Sequence, residues 1–357
     1  MSRTRLQLCR AGAGSLLAAT LLAATAAVAG EHQRSVFVLT STNDPAGNSV
    51  VVFRLGDGDS ASLSYQESLP TGGSGGAGGN AGILQFGREG GAVANFGSNS
   101  VTELVREDDS IRVGHTLKLA PGCLKPDSVA LANGQLLVVG ANCAESHAWP
   151  SGLLTGGPVR LTDASAAQIA AGTTWSAVTM TSGSLLQLPL RRGGALSGAL
   201  IPITLPSSAD NTPLGEAFWG NVLGFTPAHS PDSFAIVDAD RSVFPVTGPT
   251  PPYPANAPCW VAKGPGNVWY TSNSPGHAIS IFFSDDQGGV FYKSVALPGA
   301  PTDITVSHDG RWLALIYAGG DGAHVTVYSI GAHGDLTPEA TSAPIGVAAF
   351  NGVAISE

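Results

Sequence analysis

The chain has 357 residues, a formal net charge of −9 and only 12 % charged residues. An acidic surface without basic clusters argues against nucleic acid and anionic membranes as partners. Glycine (47 residues) and proline (24) exceed the roughly 7 % and 5 % of average proteins; with no long helical periodicity, that excess belongs to turns between strands.

Residues 1–29 read as a secretion signal. Arg3, Arg5 and Arg10 precede an apolar run from Leu16 to Val28, and Ala27-Val28-Ala29 fits the small-residue cleavage pattern. Cleavage after Ala29 removes those three arginines and takes the net charge from −9 to −12. Cys9 lies ahead of the apolar run rather than at its end, so no lipid attachment is expected. No later segment is long and apolar enough to anchor the chain. The expectation is a periplasmic or secreted protein with one domain, residues 30–357, and no membrane anchor.

The domain opens with a strand at 35–40, followed by one at 50–54. The tract TGGSGGAGG at 71–79 reads as a flexible connection; a phosphate cradle would need a following helix. From there a start signal recurs, in which Pro or a substitute stands three residues ahead of an aliphatic. Its copies are Asn80-Ala-Gly-Ile83, Pro126-Asp-Ser-Val129, Ala166-Ala-Gln-Ile169, Pro213-Leu-Gly-Glu216, Pro258-Cys-Trp-Val261, Pro301-Thr-Asp-Ile304 and Pro344-Ile-Gly-Val347. The last three stand 43 residues apart, the one before lies 45 earlier, and Pro126 lies 87 before that.

Behind the starts, second strands are predicted at 91–95, 135–140, 175–180, 233–238, 267–271 and 311–318. Third strands are predicted at 101–105, 185–190, 242–246, 279–283 and 325–330, many of them entered through Gly-containing turns. The third repeat carries an irregular insertion at 144–161. Seven starts, each heading several short strands, indicate an all-β, seven-bladed β-propeller. The first strand lacks a marked partner in front, and a final strand at 345–355 lacks a blade behind. Pairing these N- and C-terminal strands in one blade closes the ring and removes a free edge.

Three cysteines remain after the leader. Cys123 precedes the first strand of the third repeat and Cys143 follows its second, so a hairpin at Asn133-Gly134 returns both to one end. A disulfide is expected there, with Cα atoms about 5–6 Å apart, and Cys259 is left as a buried free thiol.

The segments NDPAGNSVVVF (43–53), GSNSVTEL (97–104), PCWVA (258–262) and PTDITVSHDGRWLALIYAG (301–319) resemble the secreted lactonase-family propellers. Those proteins are similar to propeller-type 6-phosphogluconolactonase and to 3-carboxymuconate-cyclising enzymes. The resemblance runs through most of the mature chain and weakens between 144 and 206. It implies a seven-bladed propeller with a pocket at the centre of one face, and a lactone or cyclic ester as substrate. It assigns no catalytic residue.

Lactone hydrolysis needs an activated water and a group to hold the developing oxyanion. In a propeller, the turns between second and third strands share a face with the starts of the inner strands. The reading places His147, His277 and His324 in such turns, with Asp44, Glu145, Asp240, Arg241 and Asp321. Asp127, Glu216, Cys259 and Asp303 lie at inner-strand starts. Glu216 fills the aliphatic position of its repeat, where burial would raise its pKa and suit it to act as a base. Arg160, in the insertion, is a candidate oxyanion partner. No local metal motif occurs and no cofactor is expected, although a divalent ion held by distant blades in the central channel would leave no signature. The alternative is a non-enzymatic extracytoplasmic propeller that binds a small molecule or a protein at its face.

Overall fold

The computed structural model describes residues 35–56, 62–78, 80–230, 234–238, 240–246, 257–285, 288–346 and 350–357. Residues 1–29, expected to be a leader, lie outside them. The described residues form seven antiparallel four-stranded sheets. Blade one holds β1 (Val36–Ser41), β2 (Ser49–Leu55) and β3 (Leu63–Pro70). Blade two is β4 (Leu84–Gly87), β5 (Gly90–Asn95), β6 (Ser100–Glu107) and β7 (Ser110–Lys118). Blade three is β8 (Pro126–Ala132), β9 (Gln135–Gly140), β10 (Cys143–Ala148) and β11 (Leu153–Arg160). Blade four is β12 (Ala166–Ala171), β13 (Trp175–Met180), β14 (Ser184–Pro189) and β15 (Ile201–Ile203). Blade five is β16 (Pro213–Trp219), β17 (Val222–Pro227), β18 (Phe234–Val237) and β19 (Val243–Val246). Blade six is β20 (Pro258–Lys263), β21 (Val268–Asn273), β22 (Ala278–Asp285) and β23 (Gly288–Ala296). Blade seven is β24 (Ala300–Val306), β25 (Trp312–Gly319), β26 (Gly322–Ile330) and β27 (Leu336–Thr341).

The last strand, β28 (Asn351–Ser356), returns to blade one and pairs with β1, with Leu39 opposite Ala354. The ring is therefore closed by the two ends of the chain, as expected. The start signal at Pro344 is displaced, however. Residues 344–346 form no strand, Val347 lies outside the described residues, and the inner strand begins at Asn351.

Two other blades differ from the sequence reading. In blade five the second strand is β17, so the strands expected as second and third are the third and fourth. In blade three the irregular insertion is the hairpin β10–β11, whose Gly156-Gly157-Pro158 stretch hides its strand character. The Gly-rich tract is tied down at its described residues. Gly75 N–H donates to Asp44 O at 2.8 Å, and the Asn43 side chain accepts from the Gly76 and Ala77 amides at 2.9 and 3.0 Å. Glycine is required here, because a Cβ on Gly75 would lie 2.3 Å from the Asn43 backbone.

The core follows the ring. Second strands such as β5, β13 and β21 are buried at every residue, because each face of a blade is covered by a neighbour. Apolar clusters fill the seams between consecutive blades: Val38 and Val353 with Ile316 between blades one and seven, Leu137 with Val178 between three and four, Trp175 with Phe225 between four and five. No helix among the described residues is long and apolar enough to cross a membrane.

Cys123 and Cys143 form a disulfide with Cα atoms 5.5 Å apart, and Cys259 is free. The bridge closes a loop of 20 residues, worth about 3 kcal/mol on the chain-entropy model. Cys123→Ser is expected to lower the unfolding free energy from urea titration by about 3 kcal/mol, and reductant should lower the wild type alone to the same value. Removal of residues 351–357 leaves β1 with an open edge and uncovers apolar surface. The shortened chain should lose cooperative melting or elute as aggregates in gel filtration.

Candidate active site

Each inner strand turns one backbone edge to the central channel, where the next blade offers no ladder partner. Bulges interrupt the pairing at the starts of β8, β12, β16, β20 and β24. Side chains from these starts then lace the strands together. Asn80 is the hub. Its Oδ1 accepts from Asn351 Nδ2 at 2.9 Å, its carbonyl accepts from Trp260 Nε1 at 3.0 Å, and its Nδ2 donates to Asp127 O. Trp260 thus spans from blade six to the chain entering blade two. Gln168 Nε2 donates to Glu216 O at 2.9 Å while its Oε1 accepts from Glu216 N at 2.7 Å. Asp303 accepts from Ile304 N at 2.8 Å and Val353 N at 3.2 Å. Gly82 approaches this lacing with φ +66°, and a Cβ there would meet Ser128 Oγ at 2.9 Å.

Beside this lacing the inner strands of blades two to seven enclose a cavity of about 210 Å³. Gln168, Glu216 and Asp303 line it, and Lys263 stands at the opposite, rear end of the inner strands. Glu216 is 1 % exposed and neither carboxyl oxygen has a hydrogen-bond partner. Burial lifts its pKa well above the usual carboxylate range; the Ala170 backbone N–H opposes this weakly, from a position that makes no good hydrogen bond. Burial pushes Asp303 up to about 7, against backbone N–H groups of Ile304, Val353 and Gly82 that favour its charge. Asp127 rises to about 7 through burial, with Lys125 pulling the other way. The Cys259 thiol is lifted to about 11 by burial, and the Ser274 backbone opposes this.

Lys263 ends β20. Its Nζ donates to Gly264 O and Gly266 O, both at 2.6 Å, and lies 5.1 and 5.2 Å from the ring centroids of Trp219 and Trp269. Burial brings its pKa down to about 8. Sequence reasoning passed over it, since a lysine before Gly-Pro-Gly looks like an ordinary turn residue. The lacing side chains Asn80, Gln168 and Trp260 were also missed; their signal was a large or polar residue at the head of an inner strand.

The other sequence candidates do not gather around this cavity. His147 is not in a turn but on β10, 2 % exposed, with Nε2 2.9 Å from Glu145 Oε1 and Nδ1 3.0 Å from Gly152 O. Glu145 also accepts from Ala120 N, so the pair ties blade three to the preceding connection. Arg160 ends the outermost strand of that blade and donates to Gly122 O at 3.2 Å. Asp240 and Arg241 lie between β18 and β19, in an outer hairpin, where Arg241 covers the Trp175 ring at 4.1 Å and donates to Gln187.

His277 is exposed in the expected β21–β22 turn, at φ 46°. His324 stacks on Tyr317 at 5.2 Å and meets Asp321 at 2.7 Å and Ser342 O at 3.1 Å. Burial disfavours its charge, but Asp321 and the Ser342 carbonyl raise its pKa overall. Asp44 folds back on its own turn, accepting from Ala46 N. Of the sequence candidates, Glu216 and Asp303 share the cavity lining, while Asp127 sits in the lacing through its backbone. No three His, Cys, Asp or Glu side chains among the described residues come together as a metal-binding group.

No protein-family model matches the chain, and no curated protein matches it in sequence. Solved structures do. A protein from Lactobacillus plantarum superposes with a TM-score of 0.64 at 13 % identity, covering 91 % of this chain and 100 % of its own. The periplasmic gluconolactonase of Pseudomonas aeruginosa gives 0.62 at 13 % identity, covering 91 % and 99 %. A Bacteroides fragilis protein assigned as a 6-phosphogluconolactonase gives 0.60 at 13 % identity, covering 87 % and 98 %. At these identities the likeness is one of fold, and the chain is a seven-bladed β-propeller.

Proposed function

We propose that the chain is an exported lactonase that opens a lactone or related cyclic ester in its channel cavity. The observation that carries this reading is Glu216: a carboxyl group buried against the cavity with both oxygens unpartnered. A structural carboxyl would be hydrogen-bonded or paired, since an unsatisfied buried polar group costs stability. Two carboxyl groups with pKa values set apart by their surroundings are the arrangement that divides acid and base roles. Burial favours the neutral form of Glu216, which suits it to serve as the acid rather than as the base read from the sequence. Asp303, poised near 7, serves as the base.

Asp303 takes a proton from water as that water attacks the carbonyl carbon. The tetrahedral intermediate collapses with cleavage of the C–O ring bond, and the Glu216 proton goes to the departing oxygen. The product is a hydroxy acid, and proton return through solvent restores both groups. The disulfide and the fold of the periplasmic gluconolactonase support an extracytoplasmic site of action.

Acid release from a panel of five- and six-membered lactones, measured with and without chelator, tests the reading and any need for a divalent ion. Glu216→Gln and Asp303→Asn should each lower kcat by about 10²–10⁴-fold with circular dichroism unchanged. Wild-type activity should rise as pH passes about 7, where Asp303 ionises, and Asp303→Asn should lose that limb. No turnover of any lactone, or full activity in Glu216→Gln, would overturn the proposal.

Glu216 also makes a stability prediction. A carboxyl whose folded pKa is raised contributes stability that is fully present below its unfolded pKa, near 4.5, and lost as pH rises through the folded value. Wild-type Tm should therefore fall relative to Glu216→Gln as pH is raised from about 4.5 to 8. Parallel Tm curves would show that the carboxyl is not held neutral.

A further inference from the structure

We propose that the rear face, where the inner strands end, carries a binding site for a small organic monocarboxylate in the cleft between blades two and three. Nothing in this depends on the lactone reading. Turns of that face build the site. The β4–β5 turn brings Arg88 and Glu89, Gln135 follows the β8–β9 turn, and the β10–β11 turn opens with Trp149. His308, between β24 and β25, completes the polar lining. Leu131 is the residue this cleft shares with the channel cavity. The cleft measures about 290 Å³, equal to roughly ten waters at about 30 Å³ each.

Its polar groups are donors in want of an acceptor. Trp149 is 9 % exposed, and its Nε1 has no hydrogen-bond partner. A buried donor left in that condition costs stability, and a buried tryptophan N–H usually finds an acceptor. Nε1 lies 3.9 Å from where a Cβ on Gly90 would stand, and Gly90 lines the cleft. Glycine is required at that position by φ +126° and by Leu104 O, 2.8 Å from the same Cβ. No side chain from residue 90 therefore stands between the cleft and the indole nitrogen. Arg88 is steadied by one bond, from its Nε to His308 Nε2 at 2.8 Å. Among the described residues it makes no ion pair, so the outer fork of its guanidinium keeps its charge for a ligand. Gln135 Oε1 accepts from Thr155 Oγ1 at 2.6 Å, which leaves its Nε2 as a third donor.

A carboxylate answers this set. Its two oxygens match the guanidinium fork through parallel bonds, and their remaining lone pairs accept from Trp149 Nε1 and Gln135 Nε2. Leu131 and the carbons of the Trp149 ring supply apolar surface for the rest of the molecule, with room for a body the size of a phenyl ring. Glu89 limits the class. It is exposed and stands beside Arg88 in a two-residue turn closed by the Gly87–Gly90 pair. Its like charge opposes a ligand with a second acid group, so monocarboxylates are preferred to dicarboxylates.

The mature full-length protein is titrated calorimetrically at pH 7 with phenylacetate, and with phenylacetamide, phenethylammonium and phenylmalonate for comparison. Phenylacetate should bind at one saturable site, about tenfold or more tighter than the uncharged amide, because hydrogen bonds to a charged group are the stronger ones. Arg88→Gln should weaken phenylacetate about tenfold, and Trp149→Phe, which keeps a ring and removes the N–H, should weaken it as well. Glu89→Gln is a surface change that leaves the fold intact; it should tighten phenylacetate and admit phenylmalonate. The proposal is overturned by an absence of saturation below about 10 mM phenylacetate, by phenethylammonium or the amide binding as tightly, or by an unchanged Kd in Arg88→Gln.

Discussion

The inner edge of each blade is the constraint on which the site depends. An inner strand pairs with its own blade on one side and with no strand on the other, yet its amides and carbonyls lie too deep to remain without partners. The molecule answers with a bulge at the head of the strand and with side chains that bridge to neighbouring blades. This also explains the recurrent proline, which has no N–H to leave unpaired at a point where the ladder is broken. Ser128, Gln168, Trp260 and Asp303 all stand at the same step of the start signal, two residues after Pro126, Ala166, Pro258 and Pro301. Each uses that step to reach across the channel or to an adjacent strand.

A channel held together in this way has its polar side chains engaged in lacing the strands. Glu216 departs from that pattern. It takes the place that Val129, Ile169, Val261 and Ile304 hold in the other repeats, so its backbone is fully tied in through Gln168 while its carboxyl enters an aliphatic position. A fold this regular tolerates the exception because the surrounding seams supply the stability.

The repeat was legible because its cause is local. Bulge, proline and aliphatic recur wherever an inner strand begins, and short apolar runs with Gly turns mark the rest. Legibility ended where a local signal and its three-dimensional cause came apart. Pro344 repeats the spacing of Pro301 but precedes the closing strand instead of heading it, because closure is decided by pairing with β1, some 300 residues earlier in the chain. Strand β17, VLGFTP, carries a glycine that packs against Trp269 and no turn signal beyond Gly220-Asn221, so it was passed over and the next two strands were shifted. That shift carried Asp240 and Arg241 to the wrong side of the blade. His147 failed for a related reason: a polar stretch, CAESHA, reads as a turn, but Glu145 and His147 satisfy each other and so can be buried in a strand. Glu216 was found because a carboxylate in an aliphatic column is visible in one dimension. Lys263 was not, since what sets it apart is two tryptophans from different strands.

Glu216 and Lys263 show one physical effect acting with opposite sign. Burial disfavours whichever form is charged, so it raises the carboxyl and lowers the amine. Both groups are therefore shifted toward their neutral forms. A carboxylate and an ammonium placed in contact would instead have stabilised each other's charge. Their separation along the channel, with Glu216 early on β16 and Lys263 at the end of β20, keeps them apart.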